Sequence, residues 1–522
     1  MDNALHKKKI EEALLDLNRN NSKVNRSHYP GYHLAPPSGW MNDPNGVIYY
    51  QGFYHVFYQH HPFSAQEGQL IYWGHARSKD FCTWEHLPIA LAPSIEEDKD
   101  GCFSGCAVVD DNGQLCLIYT AHRWTQAWGD DRYVKEVQAI AISQDGIHFN
   151  NKSIILHTPP KPEVTHFRDP RVWRDNGQWL MVIGYRVDDP NGHGIGKIAL
   201  YSSHDLFTWT FENTLFTEDC TLPLGQRAYM LECPDFFSLD GKYLLLTSPQ
   251  GLEDESKQRF TNLYQNGYII GEFKDRRFIA ESSFEECDYG HEFYAAQHID
   301  GPDQRKILIA WFDMWANSKP SQQHGWAGMM TLPRDLHIAN GKLCMTPCPE
   351  LHALRIDPSP QDLNLLPLQS GEERSIDISE TALQEIIVQF DMQATTAHRF
   401  GLKLHANKAT GAHTLLCVDT KKGQFIIDRK MTGHSPKQSP TQRFCPLPCG
   451  KLLELHIYLD RPSIEVFLSD EVNRGVFSLS TRVFPESAQN EVYVFSDDGS
   501  VAFHKFLRWK LKDTYHCAPL VY

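Results

Sequence analysis

Asp43-Pro44-Asn45-Gly46-Val47-Ile48-Tyr49-Tyr50-Gln51-Gly52-Phe53-Tyr54-His55-Val56-Phe57-Tyr58 is a polar start, a β-type run, a glycine turn and a second apolar run. That is the pattern of an antiparallel hairpin. It recurs. Ser104-Gly105-Cys106-Ala107-Val108-Val109 leads through Gly113 to a strand at 115–119, Asp169-Pro170-Arg171-Val172-Trp173 through Gly177 to 179–183, and Glu232-Cys233-Pro234-Asp235-Phe236-Phe237 through Gly241 to 244–247. A weaker copy runs from Glu292 through Gly301 to Ile307-Leu308-Ile309. The turn glycines 52, 113, 177, 241 and 301 set a period of about 60 residues. Between them a second signature keeps a fixed phase: Ser78-Lys79-Asp80-Phe81-Cys82-Thr83-Trp84, Ser143-Gln144-Asp145-Gly146-Ile147-His148-Phe149 and Ser203-His204-Asp205-Leu206-Phe207-Thr208-Trp209. Each unit then holds about four strands, and five units read as an all-β fold, a five-bladed β-propeller over residues 30–345.

Outward from this region the texture changes. Residues 1–29 form a helical segment, with Ile10, Ala13, Leu14 and Leu17 at the spacing of one amphipathic face. Residues 346–370 carry Pro347, Pro349, Pro358, Pro360 and Pro367 and neither signature, which predicts a linker. Residues 371–522 hold strand-like runs at 386–390, 402–404, 414–418, 424–427, 452–458, 463–467 and 491–495 without the period, which predicts a C-terminal β-sandwich.

The chain of 522 residues is too long for one core, in keeping with two domains. Fifty Lys and Arg against 65 Asp and Glu give a net charge of −15, a surface that repels nucleic acid. No run of apolar residues is long enough to span a membrane. The cationic start at Lys7, Lys8 and Lys9 is followed by Glu11, Glu12 and Asp16 rather than a signal-peptide core, so a cytoplasmic protein is expected. Thirteen cysteines without a compact framework are expected as free thiols in a reducing compartment.

The repeat also locates chemistry. Asp43 stands nine residues before Gly52, Asp169 eight before Gly177 and Glu232 nine before Gly241. Equivalent positions in a propeller are related by rotation about its channel, so three carboxylates distant in sequence are expected to converge at one end. Gathering like charges raises at least one pKa, which acid/base catalysis can use. Alone, each has a plainer reading: Asp43-Pro44-Asn45-Gly46 as a β-turn, Arg168-Asp169 as a surface ion pair, Glu232 as a solvated acid. The common register argues against three coincidences.

His33-Leu34-Ala35-Pro36-Pro37-Ser38-Gly39-Trp40-Met41-Asn42-Asp43-Pro44-Asn45-Gly46, followed in order by Phe103-Ser104-Gly105, Phe167-Arg168-Asp169-Pro170 and Glu232-Cys233-Pro234-Asp235, resembles glycoside hydrolase family 32, the invertases, sucrose-6-phosphate hydrolases and fructanases. The likeness is dense over residues 30–345 and fainter in the sandwich, through Ser463-Ile464-Glu465-Val466-Phe467. Tyr289-Gly290-His291-Glu292-Phe293-Tyr294-Ala295-Ala296-Gln297 brings it nearest to intracellular bacterial sucrose hydrolases. The resemblance implies a retaining β-fructofuranosidase acting on sucrose or sucrose 6-phosphate, with no cofactor or metal. Asp43 would be the nucleophile, Glu232 the acid/base and Asp169 a transition-state stabiliser. It implies Asn42, Gln59, Phe103, Ser104 and Arg168 as fructosyl-pocket residues. Trp73, Tyr294 and Trp311 are candidates for its wall or equally for sheet core.

Two departures from the family pattern stand out: Glu67 occupies the place of a pocket tryptophan, and Glu292 the place of an aspartate. An apolar setting is expected for Glu232 from Cys233, Pro234, Phe236 and Phe237. A 6-phosphate on the leaving sugar would need a local cation, for which Arg123, Arg132 and Lys135 are the nearest candidates. An inverting glycosidase on the same architecture and a non-catalytic carbohydrate-binding protein remain alternatives at this stage. Cys344, Cys348, Cys445 and Cys449 have zinc-like spacing but fall in two different domains.

Overall fold

A computed structural model describes residues 3–68, 70–130, 132–189, 192–216, 222, 226–253, 259–376, 382–433, 440–486 and 491–515. Five antiparallel sheets lie between Gly39 and Pro347, and two six-stranded sheets follow. The fold is a propeller followed by a sandwich. The first strands of the five sheets are Gly39–Tyr50, Gly101–Val109, Val164–Asp175, Leu231–Leu239 and Tyr294–Asp300. Each packs against the next, and the fifth packs against the first, so the sheets close on themselves. Trp326–Ala327, from the fifth unit, pairs in parallel with Gly39 and Trp40 and ties the ends of the ring together.

The two sequence signatures acquire structural meanings. The turn glycines join first and second strands, with φ of +82° at Gly52 and Gly177 and +79° at Gly241, a region glycine enters without strain. The Ser-x-Asp signature is the turn between third and fourth strands. Asp80, Asp145 and Asp205 each accept a hydrogen bond from the preceding serine hydroxyl and from two backbone N–H groups ahead. Apolar side chains fill the spaces between successive sheets.

Every first strand is also irregular at the same place. Its pairing with the second strand slips at Asn42-Asp43, Ser104, Asp169-Pro170, Cys233-Pro234 and Ala295-Ala296. A bulge bends the strand and re-aims a side chain. Here the same defect, repeated five times around the ring, turns the residues of the shared register toward one end of the channel. Asp169, Cys233 and Ala295 adopt positive φ of 70°, 46° and 53° to do so.

The helix Asn3–Asn21 lays Ala13, with Ile10 and Leu14, against Tyr72 and Ile89 of the first sheet and the adjoining Ala92, and buries Leu17 as well. The proline-rich segment expected as a linker is laid against the sandwich: Gln361–Asp362 adds a strand beside Phe503–Lys510, and Leu368 bridges Val501. The sandwich encloses a large apolar core from both sheets. Eleven cysteines are free; Cys220 and Cys517 lie outside the described residues. No helix among the described residues is long and apolar enough to cross a membrane.

Candidate active site

A cleft of about 490 Å³ opens at the end of the channel where the bulges sit. Asp43, Asp169 and Glu232 line it, brought from the first, third and fourth sheets. Asp43 Oδ2 accepts hydrogen bonds from the Ser104 hydroxyl at 2.7 Å and the Cys233 thiol at 3.6 Å, and Oδ1 accepts one from Asn42 Nδ2 at 3.2 Å. Asp169 Oδ2 accepts the Cys233 backbone N–H at 2.9 Å and lies 3.7 Å from the same sulfur. Cys233 therefore touches two of the acids and is bonded in sequence to the third.

Burial is the main force on the two aspartates. It raises the Asp43 carboxyl to about 6, helped by the charge of Glu232 and opposed by the bond from Ser104. It raises Asp169 to about 8, against the pull of Arg168 and with the push of Glu232 and Asp43. Glu232 is less enclosed, and its expected apolar setting is not what surrounds it. Arg168 donates to Oε1 from Nε at 3.1 Å and Nη2 at 2.8 Å, Gln250 donates to Oε2 at 2.8 Å, and the Tyr294 hydroxyl donates to the same oxygen. The bulge explains this difference. It points the Glu232 side chain to the polar cleft while Phe236 and Phe237, further along the strand, enter the cores between sheets.

Asn42, Gln59, Phe103, Ser104, Arg168 and Tyr294 all line the cleft. Trp73 and Trp311 do not. Trp73 is fully buried, and its indole N–H donates to the Cys102 and Phe103 carbonyls, so it supports the strand that carries Phe103 and Ser104. Trp311 is equally buried, packed behind Trp40 and Trp315, with ring centroids 5.9 and 4.8 Å away. Trp40 and Trp315, stacked at 27°, face the cleft instead. Glu67 lines the cleft, but Glu292 points away from it, accepting Arg429 Nη1 and the Arg482 N–H of the sandwich, each at 2.8 Å.

Several residues here had no signal in the sequence. Glu136, on a third strand, pairs with Arg168 at 3.4 Å and with His122 at 3.2 Å. Burial opposes its charge, but the Arg168 guanidinium holds its carboxyl well below the usual range. His122 in turn stacks on Phe103, with centroids 3.9 Å apart and planes 4° from parallel. Beneath Asp169, its own N–H donates to Thr120 Oγ1, Thr120 donates to Gln138 Oε1, and Gln138 Nε2 donates to the Phe167 carbonyl. This relay braces the third sheet's bulge from the second sheet.

The model for the N-terminal domain of glycosyl hydrolases family 32 matches residues 33–347, and that for the C-terminal domain of the same family matches residues 350–510. The chain belongs to glycoside hydrolase family 32. Among its family 32 relatives, sucrose-6-phosphate hydrolase of Zymomonas mobilis is 48% identical over 485 residues, covering 93% of this chain and 92% of the relative. Raffinose invertase of Escherichia coli is 38% identical and covers 97% of this chain and all of the relative. Among solved family 32 structures, a beta-fructofuranosidase of Bombyx mori superposes with a TM-score of 0.80 at 33% identity, over 97% of this chain and 98% of that one. It has also been solved as a mutant in complex with sucrose, with the same TM-score of 0.80. The propeller and sandwich are the two matched family 32 domains, and the three acids lie in the first of them.

Proposed function

We propose that the protein hydrolyses the terminal β-fructofuranosyl bond of sucrose-type substrates with retention of configuration, in the cytoplasm. The names of its relatives point to sucrose 6-phosphate and raffinose, and the Bombyx mori enzyme has been solved with sucrose. The observation that carries the reading is the meeting of Asp43, Asp169 and Glu232, from three sheets, around the single residue Cys233 at the floor of a cleft.

Asp43 attacks the anomeric carbon as the glycosidic C–O bond breaks and Glu232 gives its proton to the departing oxygen. A fructosyl ester of Asp43 forms. Glu232 then takes a proton from water, whose oxygen displaces the ester and restores Asp43. Asp43 Oδ1 is assigned to the attack, because its one contact, to Asn42, is long while Oδ2 is held by Ser104 and Cys233. Arg168, Gln250 and Tyr294 fix the orientation of the Glu232 carboxyl for both proton transfers. Asp169, deep in the cleft and fixed by the Cys233 N–H, is placed to bond the sugar's hydroxyls.

The test is the first-formed fructose anomer from sucrose, followed by NMR, together with Asp43→Asn. Retention and a fall in kcat of several orders of magnitude in the folded variant are expected. Inversion, or near-normal turnover by Asp43→Asn, overturns the mechanism.

A further inference from the structure

On the reading just given, the fructosyl unit occupies the floor with the three acids, and the leaving sugar faces the mouth. The rim there is built from Glu67, Asp100, Trp124, Trp128 and Tyr229. Two of the five are acids, and Trp128 is 55% exposed, a flat apolar surface of the kind a sugar ring can cover. Among the described residues, the one Lys or Arg lining the cleft is Arg168. Its guanidinium is occupied by Glu232, Glu136 and His166.

Lys319 lies just behind the rim but is not available to a ligand. Its side chain is 2% exposed, against 43% for Glu67. An ammonium has three hydrogens, and this one has three acceptors: Glu67 Oε2 at 3.3 Å, the Met314 carbonyl at 3.0 Å and the Asn317 carbonyl at 2.9 Å. It is further held over the Trp40 and Trp311 rings, at 5.3 and 5.9 Å. The buried cation thus fixes an outward carboxylate at the mouth while keeping its own charge inside. Arg123 and Arg132, the expected phosphate partners, are turned to Glu96 and Asp130, and neither they nor Lys135 line the cleft.

We propose that Glu67, positioned by Lys319, is a specificity residue that selects an uncharged leaving sugar over one carrying a 6-phosphate. A phosphate brings nearly two negative charges to a wall whose described residues present carboxylates and no free cation, whereas sugar hydroxyls can donate to those carboxylates.

The experiment compares kcat/KM for sucrose and sucrose 6-phosphate in the wild type, Glu67→Gln and Glu67→Lys, at low and high salt. The wild type is expected to prefer sucrose by about tenfold or more at low salt, a preference that shrinks as salt screens the exposed rim. The ratio of sucrose 6-phosphate to sucrose should rise about threefold to tenfold in Glu67→Gln, chiefly through KM, and further in Glu67→Lys. Hydrolysis of both sugars with sucrose 6-phosphate preferred overturns this inference alone, as does an unchanged ratio in both variants. Hydrolysis of neither overturns the proposed function as well.

Discussion

Asp43 is under two opposed influences, and their balance sets a measurable pH limit. Burial raises its carboxyl to about 6, while Ser104 pulls it down through a 2.7 Å bond. A nucleophile must be ionised, so kcat/KM should fall below about pH 6, with the limb belonging to the interacting acids as a group. Ser104→Ala removes a lowering bond and should move that limb to higher pH. A limb that stays or moves down in the pH–rate profile counts against the assignment. Asp169 makes the complementary case for stability. Its carboxyl is raised to about 8 in the fold, against about 4 in an unfolded chain. Between those values the folded state binds the extra proton, so this group's contribution to stability declines as pH rises through the window. Asp169→Asn cannot ionise. It should be inactive yet melt higher than wild type above pH 8, with little difference near pH 4; equal melting temperatures at high pH would contradict the raised value. These acids were legible in the sequence because the repeat gives them a shared register. The tryptophans were not, because a large indole satisfies a sheet core and a sugar wall equally well, and only the fold separates Trp73 and Trp311 from Trp40 and Trp315.

At the scale of strands, the recurring bulge is what converts a structural repeat into a site. The bulge at Asp169 depends on a partner in another sheet, since the Asp169 N–H donates to Thr120 Oγ1 and Thr120 is held by Gln138. Thr120→Val keeps the shape and deletes the acceptor, leaving a buried N–H unpaired. The cost should be about 1–3 kcal/mol in denaturant unfolding, and kcat should drop more than KM rises, because the bonds Asp169 makes to the sugar count most in the transition state. Wild-type kcat in Thr120→Val would remove Thr120 as a positioning residue. Thr120, Gln138 and Glu136 were not legible in the sequence, because they lie on second and third strands where alternation marks only which side is buried. The strands themselves were mostly readable: seven sandwich runs fall inside Gln384–Asp391, Arg399–Asn407, Ala412–Asp419, Gln424–Asp428, Leu452–Asp460, Ser463–Ser469 and Glu491–Ser496. Glu373–Ile376, Gln442–Pro446, Phe477–Arg482 and Phe503–Lys510 escaped, because polar or basic residues such as Arg374, Arg443, Ser478, Ser480 and Lys505 interrupt their apolar content.

Across the whole molecule, the two domains meet through a network of buried charge beside an apolar cluster that joins Tyr32, Cys82 and Leu332 to Tyr458, Phe467 and Trp509. His33, just upstream of the first sheet, bonds Asp460 at 2.7 Å and Glu465 at 2.9 Å. Burial opposes charge on this imidazole, yet the carboxylates on both nitrogens hold its pKa above the usual value. Glu465 also accepts Arg334 Nη2 at 2.6 Å, and Arg334 Nη1 reaches Asp288 at 2.9 Å and Ser478 at 3.0 Å. Arg429 with Glu292 and Arg482 with Asp313 extend the network. The Ser463-Ile464-Glu465-Val466-Phe467 run that carries the fainter family likeness is therefore part of the domain junction, and Glu292, in the fifth copy's acid position, serves that junction rather than the cleft. Such groups are tolerated out of water only while each is paired, which makes the two domains one cooperative unit. Arg334 is fully enclosed, so Arg334→Met removes the guanidinium from Asp288 and Glu465 at once and should cost about 3–5 kcal/mol. In the wild type, loss of activity and loss of intrinsic fluorescence should follow one denaturant transition, because tryptophans of the propeller and Trp509 of the sandwich report on the same event. In Arg334→Met that transition should move to lower denaturant and begin to divide, with the sandwich signal parting from the cleft signal. Two separate transitions already present in the wild type, or an Arg334→Met midpoint equal to it, would mean that the charged junction does not couple the domains.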